Sequence, residues 1–190
     1  MVRRCSSTAV ETTKLTSSLI LVPLTPALRR AFHRSRGDFE ATLEAVVPDA
    51  WPEFPEGMAL ASRKPPEEAR AWPSYLFVLT EPRRLVGNGG FVARPDANGE
   101  VEIGYEIAPA FRRRGWATAA VRALLAHAFA DEAVTAVVAH TLAEPGASNA
   151  VSRKAGMSKV GECTDPGVGA IWRWTIPRSA WTPREIRPTA

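Results

Sequence analysis

Hydrophobic and polar residues alternate along this chain in two rhythms. A period near 3.6 residues marks one face of a helix, and a period of two marks a half-buried strand. Residues 116–130 carry the clearest helical rhythm, with Val121, Leu124, Leu125 and Ala128 at i, i+3, i+4 and i+7. Glu100 to Ile107 alternates instead. Val101, Ile103, Tyr105 and Ile107 share one face of that predicted strand, and Glu102, Gly104 and Glu106 share the other.

Further elements surround these two. Leu19 to Leu24 reads as a strand, and Thr25-Pro26 starts a helix with Thr as N-cap and Pro at the first helical position. Asp38 to Val47 reads as a second helix stopped by Pro48, followed by a loop from Pro48 to Gly57. A short helix runs from Pro65 to Trp72, and strands from Tyr75 to Thr80 and Arg84 to Val92. Pro95 to Gly99 has turn composition. A strand at Val134–Leu142, a helix at Ala147–Ala155 ended by Gly156, and strands at Met157–Gly161 and Val168–Ile176 complete the pattern. Residues 19–177 are expected to form one domain, with 1–18 as an irregular extension and 178–190 as an irregular tail. The order predicts a mixed α/β architecture: an antiparallel front half, then one parallel crossover through the 116–130 helix.

Composition narrows the function classes. The chain has 190 residues, 45% of them hydrophobic and 23% charged, which are globular values. No apolar run approaches the roughly 18 residues of a membrane-spanning helix. The two cysteines, Cys5 and Cys163, exclude a disulfide scaffold and a thiolate zinc site, and fit a reduced, cytoplasmic compartment. His33, His127 and His140 are scattered without ligand spacing, so no metal is expected. The net charge of +4 splits into +6 for residues 1–36, −4 for 37–177 and +2 for 178–190. A mildly acidic middle argues against a nucleic-acid partner and suits a cationic substrate.

The stretch Ala110 to Ala120 (AFRRRGWATAA) joins a strand to a helix through a basic, glycine-containing turn. A helix start offers unpaired N–H groups and the positive end of the helix dipole, which suits an anion such as pyrophosphate. Gly115 and Ala117 keep the backbone accessible, Arg112, Arg113 and Arg114 add charge, and Thr118 adds a hydroxyl. The spacing matches neither a Walker loop nor Gly-x-Gly-x-x-Gly.

The wider stretch Glu102 to Thr118 (EIGYEIAPAFRRRGWAT) resembles the central motif of the GNAT N-acetyltransferase superfamily: a strand, a proline-containing turn, then Arg/Gln-x-x-Gly-x-Gly/Ala opening a helix. Here that is Arg112-x-x-Gly115-x-Ala117. A second block, Ala139 to Met157, resembles the same superfamily's branch of ribosomal-protein N-terminal acetyltransferases. Ser148, Val151, Lys154 and Gly156 match its Asn-x-x-Ser-x-x-Val-Leu-x-Lys-x-Gly-Phe, whereas Pro145 stands where Asn is usual and Ser152 where Leu is.

The resemblance implies transfer of acetyl from acetyl-CoA to a primary amine, either a small molecule or a protein N-terminus. A non-catalytic CoA-binding module on the same fold is the competing expectation. By the resemblance, the pyrophosphate lies on residues 113–118, Trp116 included, and the pantetheine arm runs along Glu106-Ile107-Ala108 where two strands splay. A backbone N–H near Ile107 would face the thioester carbonyl. The amine needs a proton acceptor. Glu102 and Glu106 are the candidates, with Glu102 preferred; Asp49, Glu53 and Asp165 lie in loops. Ser148 matches a serine that assists the leaving thiolate and the cofactor, and can also read as a helix N-cap. Trp51, Trp172 and Trp174 are expected to wall the acceptor site. Members of the superfamily are often dimers, so a homodimer is one expectation.

Overall fold

The computed structural model describes residues 13–14 and 18–183. Among these, eight strands form one sheet: β1 (Thr13–Lys14), β2 (Leu19–Pro23), β3 (Ser74–Thr80), β4 (Arg83–Phe91), β5 (Glu100–Ile107), β6 (Ala136–Leu142), β7 (Ser158–Asp165) and β8 (Gly169–Pro177). Their spatial order is β1-β2-β3-β4-β5-β6-β8-β7. Every neighbouring pair is antiparallel except β5 with β6. A parallel pair needs a crossover, and the helix α5 (Trp116–Ala130) supplies it. The other helices are α1 (Pro26–Arg34), α2 (Arg36–Leu43), α3 (Pro55–Arg63), α4 (Pro66–Ala71) and α6 (Ala147–Ala155).

Two cores form because the sheet buries both faces. On one face Tyr75, Phe77, Val101, Ile103 and Ile107 meet the α5 stripe, in which Val121, Leu124, Leu125 and Ala128 are fully buried. On the other, Ile20, Leu76, Val78 and Leu85 meet Leu28, Phe39 and Met58 from α1, α2 and α3. Phe39 and Trp51 stack there with centroids 5.8 Å apart. β3 is therefore apolar at nearly every position, as expected of a strand covered on both sides.

Several elements depart from the sequence reading. α2 ends at Leu43 because Glu44 turns left-handed (φ 55°) and Val46 bridges β4, exchanging backbone bonds with Arg83 and Leu85. Backbone pairing there outweighs helix propagation. The expected loop to Gly57 instead starts α3 at Pro55, which supplies the preset φ of a first helical residue. Met58 and Ala61 bury that helix's inner face, and Lys64 after it donates to the carbonyls of Trp72 (2.9 Å) and Phe91. Burial lowers the Lys64 ammonium to about 8. β7 runs four residues beyond its expected end at Gly161, to Asp165.

The ends differ too. Thr13 and Lys14, expected to be irregular, pair with Leu21 and Ile20; residues 1–12, 15–17 and 184–190 lie outside the described set. The start of the expected tail is anchored. Arg178 donates to the carbonyls of Val134 (2.8 Å), Phe129 (3.0 Å) and Asp131, and Trp181 stacks on Phe129 at 5.6 Å. Among the described residues no helix is long and apolar enough to cross a membrane.

Leu124 touches the sheet from the middle of α5. Leu124→Ala is expected to cost about 2–5 kcal/mol through lost burial and the residual cavity, read as a lower urea midpoint at unchanged slope.

Candidate active site

β5 and β6 part company early. They pair only through Glu100–Ala136, Val101–Val137 and Glu102–Val138. Beyond these residues β5 continues against β4 alone, as far as Ile107, and β6 against β8 alone, as far as Leu142. A fork opens between them. The Ala108 N–H donates to the Val86 carbonyl (2.9 Å), so the Gly87–Ile107 pair is a non-hydrogen-bonded one. The Ile107 N–H therefore points away from β4, into the fork. By the same alternation so does the Tyr105 N–H.

Both helices that follow these parallel strands begin at the fork's open end, where open α/β sheets take their ligands. A single turn over Pro109–Phe111 and the left-handed residues Arg113 (φ 61°) and Gly115 (φ 82°) lead into α5. No side chain caps its first turn. The N–H groups of Trp116, Ala117 and Thr118 thus lack an intrahelical acceptor and form a cradle for an anion. The second helix, α6, starts after Gly146, again without a side-chain cap. The Tyr105 hydroxyl spans the fork and donates to the Ser148 carbonyl at 3.1 Å. Burial raises the Tyr105 phenol, so it stays protonated as a donor.

A cleft of about 180 Å³ lies on the sheet face away from α5, over β4 and β5. Gly89, Gly90 and Gly104 are among its sheet residues, and Phe54, Met58 and Leu60 reach it from the α3 side. Glu106 lines it and is 8% exposed. Its Oε2 accepts the backbone N–H groups of Glu53 (3.2 Å) and Phe54 (3.1 Å), while its buried Oε1 has no partner within the protein. Burial pushes this carboxyl above the ordinary carboxylate range. The Glu53 charge adds to that push, and the two N–H groups and Arg112 only partly offset it. At the fork's closed end, Glu102 Oε1 meets His140 Nδ1 at 2.9 Å.

A family model described as an acetyltransferase (GNAT) domain matches residues 18–158. The chain belongs to the GNAT acetyltransferase family. A relative named as an uncharacterized N-acetyltransferase, YjdG of Bacillus subtilis (strain 168), is 26% identical over 125 residues, which are 65% of this chain and 73% of the relative. Among solved structures, the ribosomal L7/L12 α-N-protein acetyltransferase RimL in complex with coenzyme A superposes with TM-score 0.62 at 18% identity, over 88% of this chain and 98% of that one. A spermidine N-acetyltransferase SpeG chimera from Vibrio cholerae gives 0.61 at 16% identity, over 86% and 97%. These superpositions establish the shared fold. The residues of this acetyltransferase fit acetyl-CoA, the family's acetyl donor. The uncapped α5 start suits the pyrophosphate, and the unpaired edge of β5 suits the amides of the pantetheine arm.

The residues singled out in the sequence fall into three places. Ile107, Ala108 and Arg112 to Thr118 all lie at the fork's open end, but the arginines differ. Arg112 is committed to the protein, bonding the Ile107 carbonyl (2.9 Å) and pairing with Glu53. Arg114 lies over the Phe111 ring at 5.9 Å. Ser148 is exposed in the first turn of α6, and Gly146 rather than Ser148 occupies its N-cap. Glu106 lies in the cleft and Glu102 at the fork.

The three tryptophans do not wall the cleft. Trp51 is buried against Phe39, and its indole donates to Asn88 Oδ1 at 2.6 Å, so it reaches the cleft only through that amide. Trp174 is buried on the opposite face, bonding Thr141 Oγ1 (2.9 Å), and Trp172 follows it by parity, bonding Glu162 (2.9 Å). Of the loop candidates, Asp49 pairs with Arg36 and Asp165 accepts from Gly167 and Val168 in its own turn. Among the described residues no group of three or more His, Cys, Asp or Glu is arranged to hold a metal. Sequence reasoning missed Asn88 and placed Tyr105 only on the apolar face. The signal for Asn88 was a single polar side chain within a glycine run, Gly87-Asn88-Gly89-Gly90.

Gly115→Glu is expected to abolish acetyl-CoA binding measured by calorimetry, by placing a carboxylate where the anion approaches. Gly115→Asn, which tolerates the left-handed conformation, is expected to keep most of it.

Proposed function

We propose that this protein moves the acetyl group of acetyl-CoA to a primary amine seated in the β4/β5 cleft, with Glu106 as the proton acceptor. The observation that carries this reading is the free Oε1 of Glu106, buried in a cleft wall while Oε2 is fixed by two backbone N–H groups. A carboxylate held this way is oriented and keeps one oxygen for a ligand. Its raised pKa brings it nearer the range in which a base works well at neutral pH. Glu102, bonded to His140, is better placed to brace the fork than to meet an amine.

An amine entering as an ammonium must lose two protons. One passes to Glu106 and on to solvent, freeing the nitrogen's lone pair. The N–C bond then forms and the C–S bond breaks, and the second proton neutralises the departing thiolate. The Tyr105 hydroxyl and the Ser148 hydroxyl stand at the fork for that last step. The Ile107 N–H is the donor aimed at the carbonyl oxygen as its charge develops.

Glu106→Gln keeps the shape and the bonds from residues 53 and 54 but cannot accept a proton. It is expected to lower kcat about 10²–10⁴-fold with acetyl-CoA affinity retained, measured by CoA release over an amine panel. In the wild type, protonation below the raised Glu106 pKa removes the base. The acid limb of kcat/KM should therefore lie above the ordinary glutamate value of about 4.3, and should vanish in Glu106→Gln. Acetyl-CoA binding without turnover of any amine would instead mark a CoA-binding module.

A further inference from the structure

We infer that the acceptor is a monocationic primary amine whose nitrogen is borne on a compact apolar group, and that polyamines and other polycations are excluded. This rests on the reading of the cleft as the acceptor site.

The chemistry of the cleft wall carries the inference. Glu106 is the single charged side chain lining the cleft among the described residues. Leu24, Phe54, Met58, Leu60 and Ala61 supply apolar side chains to the wall. Cavities of about 150 Å³ with such walls admit benzene, so about 180 Å³ has room for one ring or one branched aliphatic chain.

A second ammonium would have no second carboxylate to meet in the cleft wall. Glu53 pairs with Arg112, Glu102 with His140 and Glu100 with Arg173, and Glu56, exposed at the start of α3, does not line the cleft. The other polar side chains on this face, Ser74 and Asn88, are neutral. A Trp51 indole can only donate, so it fixes Asn88 Oδ1 as the acceptor in their bond and leaves the amide NH₂ as a donor. That NH₂ can donate to a neutral oxygen of the acceptor and offers nothing to a second ammonium. Burying an unpaired charge against such a wall is costly.

The same chemistry, one ammonium beside an apolar group, occurs in a free alkylamine and in the first residue of a peptide. Initial rates of CoA release from acetyl-CoA are to be measured with ethylamine, isoamylamine, leucinamide, a tripeptide beginning with leucine, putrescine and spermidine. Isoamylamine is expected to exceed both ethylamine and putrescine in kcat/KM by about 10-fold or more, the scale of hydrophobic-pocket discrimination. Leucinamide or the peptide exceeding isoamylamine would support the inference and assign the Asn88 NH₂ to a carbonyl oxygen.

Gly104 gives an independent handle. A Cβ there meets nothing within 4 Å, so a larger side chain enters the cleft without disturbing the sheet. Gly104→Leu is expected to collapse the preference for isoamylamine over ethylamine. Faster turnover of spermidine or putrescine than of isoamylamine overturns the substrate class and leaves acetyl transfer standing. A preference unchanged in Gly104→Leu also overturns it. No CoA release with any amine, from protein shown to bind acetyl-CoA, overturns both readings.

Discussion

β5 and β6 hold together for three residue pairs and then separate, and the remaining parts of the site follow from that separation. A strand edge left open inside a protein exposes N–H and C=O groups that need partners. Here the edge of β5 between Ile103 and Ile107 faces neither β6 nor the other sheet neighbour, β4. Tyr105 bridges part of the gap to α6, and the rest is available to an extended ligand carrying amides. The parting also brings the starts of α5 and α6 to the same end of the fork.

The fork and the cleft then present different chemistry. The fork presents backbone, with N–H groups at the helix start and along the open edge of β5, which suit phosphate and amide without a designated side chain. The sheet face away from α5 presents a carboxylate in an apolar cleft. Glu106 joins the two, since it stands on β5 between the Tyr105 and Ile107 positions whose N–H groups line the fork. Its carboxyl is raised mainly by loss of solvent in that cleft.

Much of this was legible in the sequence, for identifiable reasons. The stripe Val121, Leu124, Leu125 and Ala128 fixed α5 to the residue because 15 positions of unbroken helical period leave little ambiguity. Gly115 was readable as the residue that keeps the backbone of a basic turn accessible, but its left-handed conformation (φ 82°) was not. α3 was not readable. Its first turn, Pro55-Glu56-Gly57, has loop composition, and it is held by tertiary burial of Met58 and Ala61. The roof of the cleft was therefore missed, and with it the burial that sets Glu106 apart from Glu102. Strand parity placed Glu102 and Glu106 on one face but could not show that only Glu106 is covered. Parity likewise put Trp172 and Trp174 together, without saying that their face is the one turned towards α5 and α6.

The anchoring of the chain's end by Arg178 has a consequence for the ligand at the other end of α5. The guanidinium caps the carbonyls at that helix's C-terminus, where the negative pole of its macrodipole lies. At about 1.5 Å per residue the helix is roughly 22 Å long, well beyond the screening length of about 8 Å at physiological salt. The arginine and an anion at the start of α5 would therefore not sense each other directly. The helix resembles a beam clamped at one end by a permanent cation. That clamp ties the C-terminal end of α5 to the segment after β8, whether or not an anion meets its other end.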